Sequence, residues 1–152
     1  MKNILFVCWG NICRSPAAEG IFKYILEYHK RSDLHIDSAG IIDHHAGEKP
    51  DSRMVAHSKK RGYDLNSYSR PILKQDFLTF DLILAMDDLV FQSLIEIDSV
   101  NSNKVKKMAD YLTKSSYKEI PDPYYSGASG FELVLDLLED SCSNLYKQID
   151  EH

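Results

Sequence analysis

No apolar run in the chain approaches the roughly 20 residues that cross a bilayer. Cysteine is scarce too, with three in 152 residues. An odd count of this size does not fit a disulfide-stapled secreted framework. Cys8 and Cys13 lie five apart in one segment, and there is no C-x2-C pair, so the spacing of a structural zinc site is missing. Lys and Arg total 18 against 23 Asp and Glu, for a net charge of −5. That balance argues against an extended nucleic-acid face, although a few local donors can still hold a small anion. The N-terminus lacks the charged start, apolar stretch and small-residue site of a signal peptide. No repeat, low-complexity tract or linker interrupts the sequence. These absences predict one domain over residues 1–152, cytoplasmic, with no membrane, nucleic-acid, metal or cofactor requirement. What is present, 43% hydrophobic and 27% charged residues, is the usual material of a globular core.

Hydrophobic patterning predicts strands alternating with helices. Ile4-Leu5-Phe6-Val7 reads as a buried strand. Ser15 as N-cap and Pro16 as first helical residue open a helix through Ala17, Ile21, Ile25 and Tyr28. Leu34–Ser38 alternates as a short strand ended by Ala39-Gly40. Residues 41–52 read as loop, and Asp51 or Ser52 caps a helix to Arg61 that Gly62 stops. Phe80–Met86 suits a buried parallel strand, followed by a helix from Asp87-Asp88 through Ile95. Lys104–Met108 is the last strand, its lysines a solvated strand end. Residues 119–130 are turn-rich, and Phe131–Ile149 is an amphipathic helix with Cys142 on its apolar stripe. This order implies an α/β fold, a doubly wound parallel sheet with helices on both faces. Such sheets bind ligands beyond the carboxyl ends of their strands, near a reversal of strand order. Cys8 and Asp87 both fall at such ends.

The segment Cys8-Trp9-Gly10-Asn11-Ile12-Cys13-Arg14-Ser15-Pro16 follows the first strand directly. It puts a thiol, a short loop, an arginine and a helix start in sequence. Loop N–H groups, the helix dipole and Arg14 converge where a tetrahedral oxyanion would meet the sulfur, and all favour the nucleophilic thiolate. Arg14 offers a planar fork to two anion oxygens, which lysine cannot. Gly10 and Asn11 tolerate the positive φ of a tight anion cradle. Ser15 can donate to the sulfur or simply cap the helix, and the sequence leaves both roles open. This chemistry is that of a cysteine-dependent phosphatase.

Such a reaction also needs a proton for its leaving group. Ile120-Pro121-Asp122-Pro123-Tyr124-Tyr125 supplies the best acid, Asp122, in a loop stiffened by two prolines. Taken alone, Asp122 reads as a turn aspartate beside surface tyrosines. Beside the cysteine loop it reads as a general acid, with Tyr124 and Tyr125 walling a slot for an aromatic group.

With these residues in place, the chain resembles the low-molecular-weight protein tyrosine phosphatases over nearly its whole length. The resemblance rests on Val7–Pro16, Asp37-Ser38-Ala39-Gly40, Phe80-Asp81 through Met86-Asp87, and Asp122-Pro123-Tyr124-Tyr125. It implies a four-stranded parallel sheet, no metal, and a two-step reaction on phosphotyrosine proteins or peptides that releases inorganic phosphate. Cys8 would form a cysteinyl-phosphate, Asp122 would serve as acid and then base, and Arg14 with the N–H groups of residues 9–14 would hold the oxygens. Asn11 and Ser38 resemble members of the network that holds the loop, and Asp87 the carboxylate that positions Arg14. Cys13 resembles a reversible disulfide partner for Cys8. The alternative is a small buried filler. Many relatives place a histidine against the loop serine, and Ser67 stands in that position here. Trp9 is unusual after the nucleophile and is expected to wall the mouth. His44 and His45 fall where relatives vary a second wall residue. The tyrosine pair resembles one that is phosphorylated in relatives. The expected state is a monomer.

Three rivals share parts of this pattern. A protein-arginine phosphatase resembles it but carries threonine where this chain has Ile12. A thiol-dependent arsenate reductase needs two further cysteines in a mobile segment, and residues 70–100 have none. A non-catalytic phosphate-binding module should lack the nucleophile or the acid, and both types are here.

Overall fold

The computed structural model describes residues 2–150. Its centre is β1, Asn3–Cys8, whose last five residues are buried. Their alternation serves two cores. Ile4, Phe6 and Cys8 join one cluster with residues of helices α1 (Arg14–Tyr28) and α5 (Ala128–Asp150). Leu5 and Val7 join the other, with Phe77 from α3 (Asp76–Thr79) and Val90 and Leu94 from α4 (Asp88–Ile97). A strand buried on both faces must be apolar at every position, which explains the unbroken run.

The four parallel strands lie in the order β2-β1-β3-β4, with β2 His35–Gly40, β3 Leu82–Ala85 and β4 Val105–Lys107. The sheet therefore matches the predicted doubly wound architecture. The chain leaves β1 for β2 on one side and then returns to β3 on the other. The reversal opens a crevice at the carboxyl ends of β1 and β3. Cys8 ends β1 opposite Gly40 of β2, and Asp87 follows β3 as the cap of α4.

Several boundaries differ from the sequence reading. The first helix begins at Arg14 with Cys13 at its cap, so Ser15 lies inside the first turn and is not the cap. Its hydroxyl is directed to the sulfur. The third strand is shorter than Phe80–Met86, because Phe80 ends the brief α3 and Asp81 accepts the N–H groups of Lys2 and Asn3. The four-residue α3 carries too little periodicity to be read from sequence. The α4 helix runs two residues beyond Ile95, to Ile97. Helix α2, Ser52–Lys60, is capped by the Asp51 carboxylate, and Gly62 follows it at φ +91°. No described helix is long and apolar enough to cross a membrane.

Candidate active site

The loop after β1 curls back over its own cysteine. Asn11 adopts φ +58°, a left-handed conformation that asparagine tolerates better than most residues. This turns the Asn11 N–H onto Cys8 Sγ at 3.2 Å. The Ser15 hydroxyl lies 3.0 Å from the same sulfur. Asn11 Oδ1 accepts the Arg70 N–H at 3.0 Å, which fixes the amide so that Nδ2 donates to Ser15 Oγ at 2.7 Å. With its oxygen accepting there, Ser15 can donate its proton to the sulfur at 3.0 Å or, over a longer 3.5 Å, to the Ala39 carbonyl. Asn11 is thus both a turn residue and an orienting group.

The back of the loop rests on the segment before α3. Ser69 Oγ donates to the Gly10 carbonyl at 3.0 Å. A bridge between Gly40 and Pro71 sets the register, with Gly40 N donating to Arg70 O and Ile72 N to Gly40 O. Ser67, read as the residue facing the loop, lies instead beside Lys49, Pro50 and Tyr68. Ser69 is the hydroxyl that reaches the loop. Ser38 donates to the buried Glu19 carboxylate on α1 at 2.6 Å, which ties β2 to the helix that follows the loop. A Cβ on Gly40 would stand 3.0 Å from Gly10 C and Trp9 O. Only glycine lets β2 lie this close to the loop.

Arg14 is almost fully enclosed, its side chain 3% exposed. Nη1 donates to Asp87 Oδ2 at 2.7 Å and to the Ile120 carbonyl at 3.0 Å. Burial opposes its charge, but Cys8, Asp87 and Asp122 outweigh burial and raise its pKa. Asp87 uses its other oxygen to cap α4 through Val90 N–H at 2.8 Å. Asp122 approaches from the far side, Oδ2 3.8 Å from Arg14 Nη2. Its side chain is 54% exposed, and Oδ1 accepts the Tyr124 N–H at 3.0 Å.

These groups line a cavity of about 390 Å³. Cys8 and Arg14 form its polar end with Asp122, while Trp9, Ile12, Tyr124 and Tyr125 supply apolar and aromatic surface. Tyr125 is 96% exposed and meets Tyr124 edge to face at 4.9 Å. His44 and His45 also line the mouth. Their rings are 4.8 Å apart, and His45 Nδ1 pairs with Glu48 at 3.0 Å. Ile42 joins this wall without having been legible in the sequence. Cys13, within the loop, is buried and also lines the cavity, and burial, then Asp51 and Cys8, push its thiol well up. Cys142 is wholly in the core. Among the described residues, no cluster of three or more His, Cys, Asp or Glu is placed to hold a metal.

A parallel sheet carrying a sulfur, an anion-cradling loop and a buried guanidinium at its switch point defines a class of cysteine-bearing oxyanion-binding α/β protein. The comparisons narrow it. The family model described as low molecular weight phosphotyrosine protein phosphatase matches residues 3–152. A Synechocystis relative assigned as a low molecular weight protein-tyrosine-phosphatase is 47% identical over 146 residues, covering 94% of this chain and 93% of the relative. The crystal structure of a protein tyrosine phosphatase from Entamoeba histolytica superposes with TM-score 0.96 at 43% identity, over 99% of this chain and 98% of that one. A Drosophila arginine phosphatase structure gives TM-score 0.91 at 32% identity, over 98% of both chains. The chain belongs to the low molecular weight phosphotyrosine protein phosphatase family, a family of hydrolases.

Proposed function

We propose that the protein hydrolyses phosphotyrosine monoesters in proteins or peptides through a cysteinyl-phosphate on Cys8. The supporting observation is the cavity that holds Cys8 and Arg14 together with Asp122 and is walled by Trp9, Ile12 and Tyr124. The phosphoryl oxygens sit in the N–H groups of residues 9–14, apart from that of Asn11, which meets the sulfur, and on the outward edge of Arg14. Cys8 attacks phosphorus while the ester oxygen departs. Asp122, on the solvent side of Arg14, gives that oxygen its proton. Water then attacks the thiophosphate, Asp122 takes the proton, and phosphate leaves. The Ser15 proton and the Asn11 N–H stabilise the sulfur as it departs. The apolar and aromatic walls favour a phenyl ring over the aliphatic stem of a serine ester.

The Drosophila arginine phosphatase likeness makes phosphoarginine the alternative to test. At Ile12 this chain has no hydroxyl to meet a guanidinium, which favours tyrosine. The experiment is phosphate release from matched phosphotyrosine, phosphoserine and phosphoarginine peptides without added metal, beside Cys8→Ser. Turnover of phosphotyrosine alone, lost in the variant, supports the reading. Preference for phosphoarginine, or activity that survives Cys8→Ser, contradicts it. Localisation in the cytoplasm and action as a monomer belong to the same proposal.

A further inference from the structure

The acid-bearing segment has few polar attachments to the rest of the fold. Ile120 is tied down, its N–H to Met86 O and its carbonyl to Arg14. Beyond it, the hydrogen bonds of residues 121–126 among the described residues are internal: Tyr124 N to Asp122 and Ser126 N to Pro123 O. One ion pair at 3.8 Å joins Asp122 to Arg14. Pro123 is buried and Tyr124 packs against the core, and a cation stack lies over the Tyr124 ring. The Arg53 guanidinium lies 5.4 Å from the Tyr124 ring centre and 4.8 Å from that of Phe131. Phe131 is fully in the core and stacks on His57.

Arg53 is itself fixed from the nucleophile side. Asp51 grips it with two bonds, Nε to Oδ1 at 3.1 Å and Nη2 to Oδ2 at 2.9 Å. The same Asp51 caps α2 and gives its own N–H to the Ile12 carbonyl at 2.8 Å. A continuous path therefore runs from the anion loop through Asp51 and Arg53 to Tyr124, whose N–H holds Asp122. The planar guanidinium suits this place, because it can fork a carboxylate and cover aromatic faces at once.

We infer that Arg53 is a positioning residue that holds the Tyr124 turn, and so sets where Asp122 stands relative to Cys8. The inference rests on the proposed role of Asp122 as acid. Arg53 does not line the cavity and is assigned no contact with substrate. Its effect is felt by the group that delivers the proton.

The test uses the full chain and two substrates, a phosphotyrosine peptide and an aryl phosphate whose phenol departs without protonation. Arg53→Met should lower kcat/KM for the peptide by about 10- to 100-fold, the penalty of a displaced catalytic group. The activated aryl ester should lose much less. Arg53→Lys keeps a cation over the rings without the fork, and should fall between wild type and Arg53→Met. Amide exchange at Tyr124 and Ser126 should quicken in both variants while the β-strands keep their protection. Equal loss for both substrates, or unchanged exchange with unchanged rates, overturns the inference. Asp122→Ala is run in parallel. If it shows no leaving-group dependence, the role of Asp122 fails and takes this inference with it. If it does and Arg53→Met does not, Arg53 alone is refuted.

Discussion

Arg14→Lys conserves charge and should still cripple the protein. In the structure Nη1 is committed to Asp87 Oδ2 and the Ile120 carbonyl. The remaining edge of the guanidinium is what faces the anion. A lysine has one nitrogen on a flexible stem. It can keep Asp87 or meet a phosphoryl oxygen, but it cannot span both with a planar fork. The variant forfeits one to two charge-assisted bonds to the transition state, at about 1.5–3 kcal/mol each. The total of about 1.5–6 kcal/mol predicts a fall in kcat/KM of about 10- to 10⁴-fold, with the upper half expected if both bonds go. The assay is steady-state turnover of a phosphotyrosine peptide, with inhibition by inorganic phosphate measured beside it. Both should weaken, since the same edge binds ground and transition states. A variant within about threefold of wild type would refute the reasoning, because a single point charge would then suffice.

Other predictions follow from single contacts. Iodoacetate should label Cys8 before Cys13 or Cys142, whose thiols burial pushes up; peptide mapping showing Cys13 labelled first would contradict the geometry. Gly40→Ala drives a Cβ to 3.0 Å from Gly10 C and Trp9 O, so activity and phosphate binding should fall more than melting temperature. An equal fall would mean the strand, not the loop, had yielded. Asp140 is buried, which raises its pKa, but Lys114 N–H, Thr113 N–H and hydroxyl, and Asn144 outweigh burial and hold it below the ordinary carboxylate range. That stabilisation is complete above the unfolded pKa near about 3.9 and is lost as pH falls through the lower folded value. Asp140→Asn should therefore melt well below wild type at neutral pH, with the gap closing in acid. A constant gap across pH would count against the bonds.

The nucleophile loop was legible because its chemistry is contiguous. A strand, a thiol, residues that tolerate positive φ and an arginine follow one another within a few positions, so local geometry alone brings them together. Asp122 could be nominated because its flanking prolines deny it a helix and its chemistry completes the cysteine's. The supports were harder to read. Ser67 and Ser69 belong to the same polar stretch, and which of them meets the loop depends on the Gly40–Pro71 pairing, a tertiary register with no local signature. Ser38 was placed in the network that holds the loop, but its partner, the buried Glu19, is a residue that helical patterning would have left on the surface. Ser15 had the form of an N-cap, but the loop enters the helix two residues earlier and places that hydroxyl on the sulfur. Gly40 carried a signal that could have been used: a glycine closing a buried strand marks a close backbone approach. Arg53 carried none, since stacking on Phe131 and Tyr124 joins positions far apart in sequence.

The central claim is that Cys8 carries the phosphoryl group. The most direct measurement is rapid acid quench of the protein mixed with a phosphotyrosine peptide, followed by mass analysis of the cysteine-bearing peptide. One phosphoryl group should appear on Cys8, decay with turnover, and be absent in Cys8→Ser. Full turnover with no phosphoryl on Cys8 at any quench time, or phosphate release preserved in Cys8→Ser, would contradict the account.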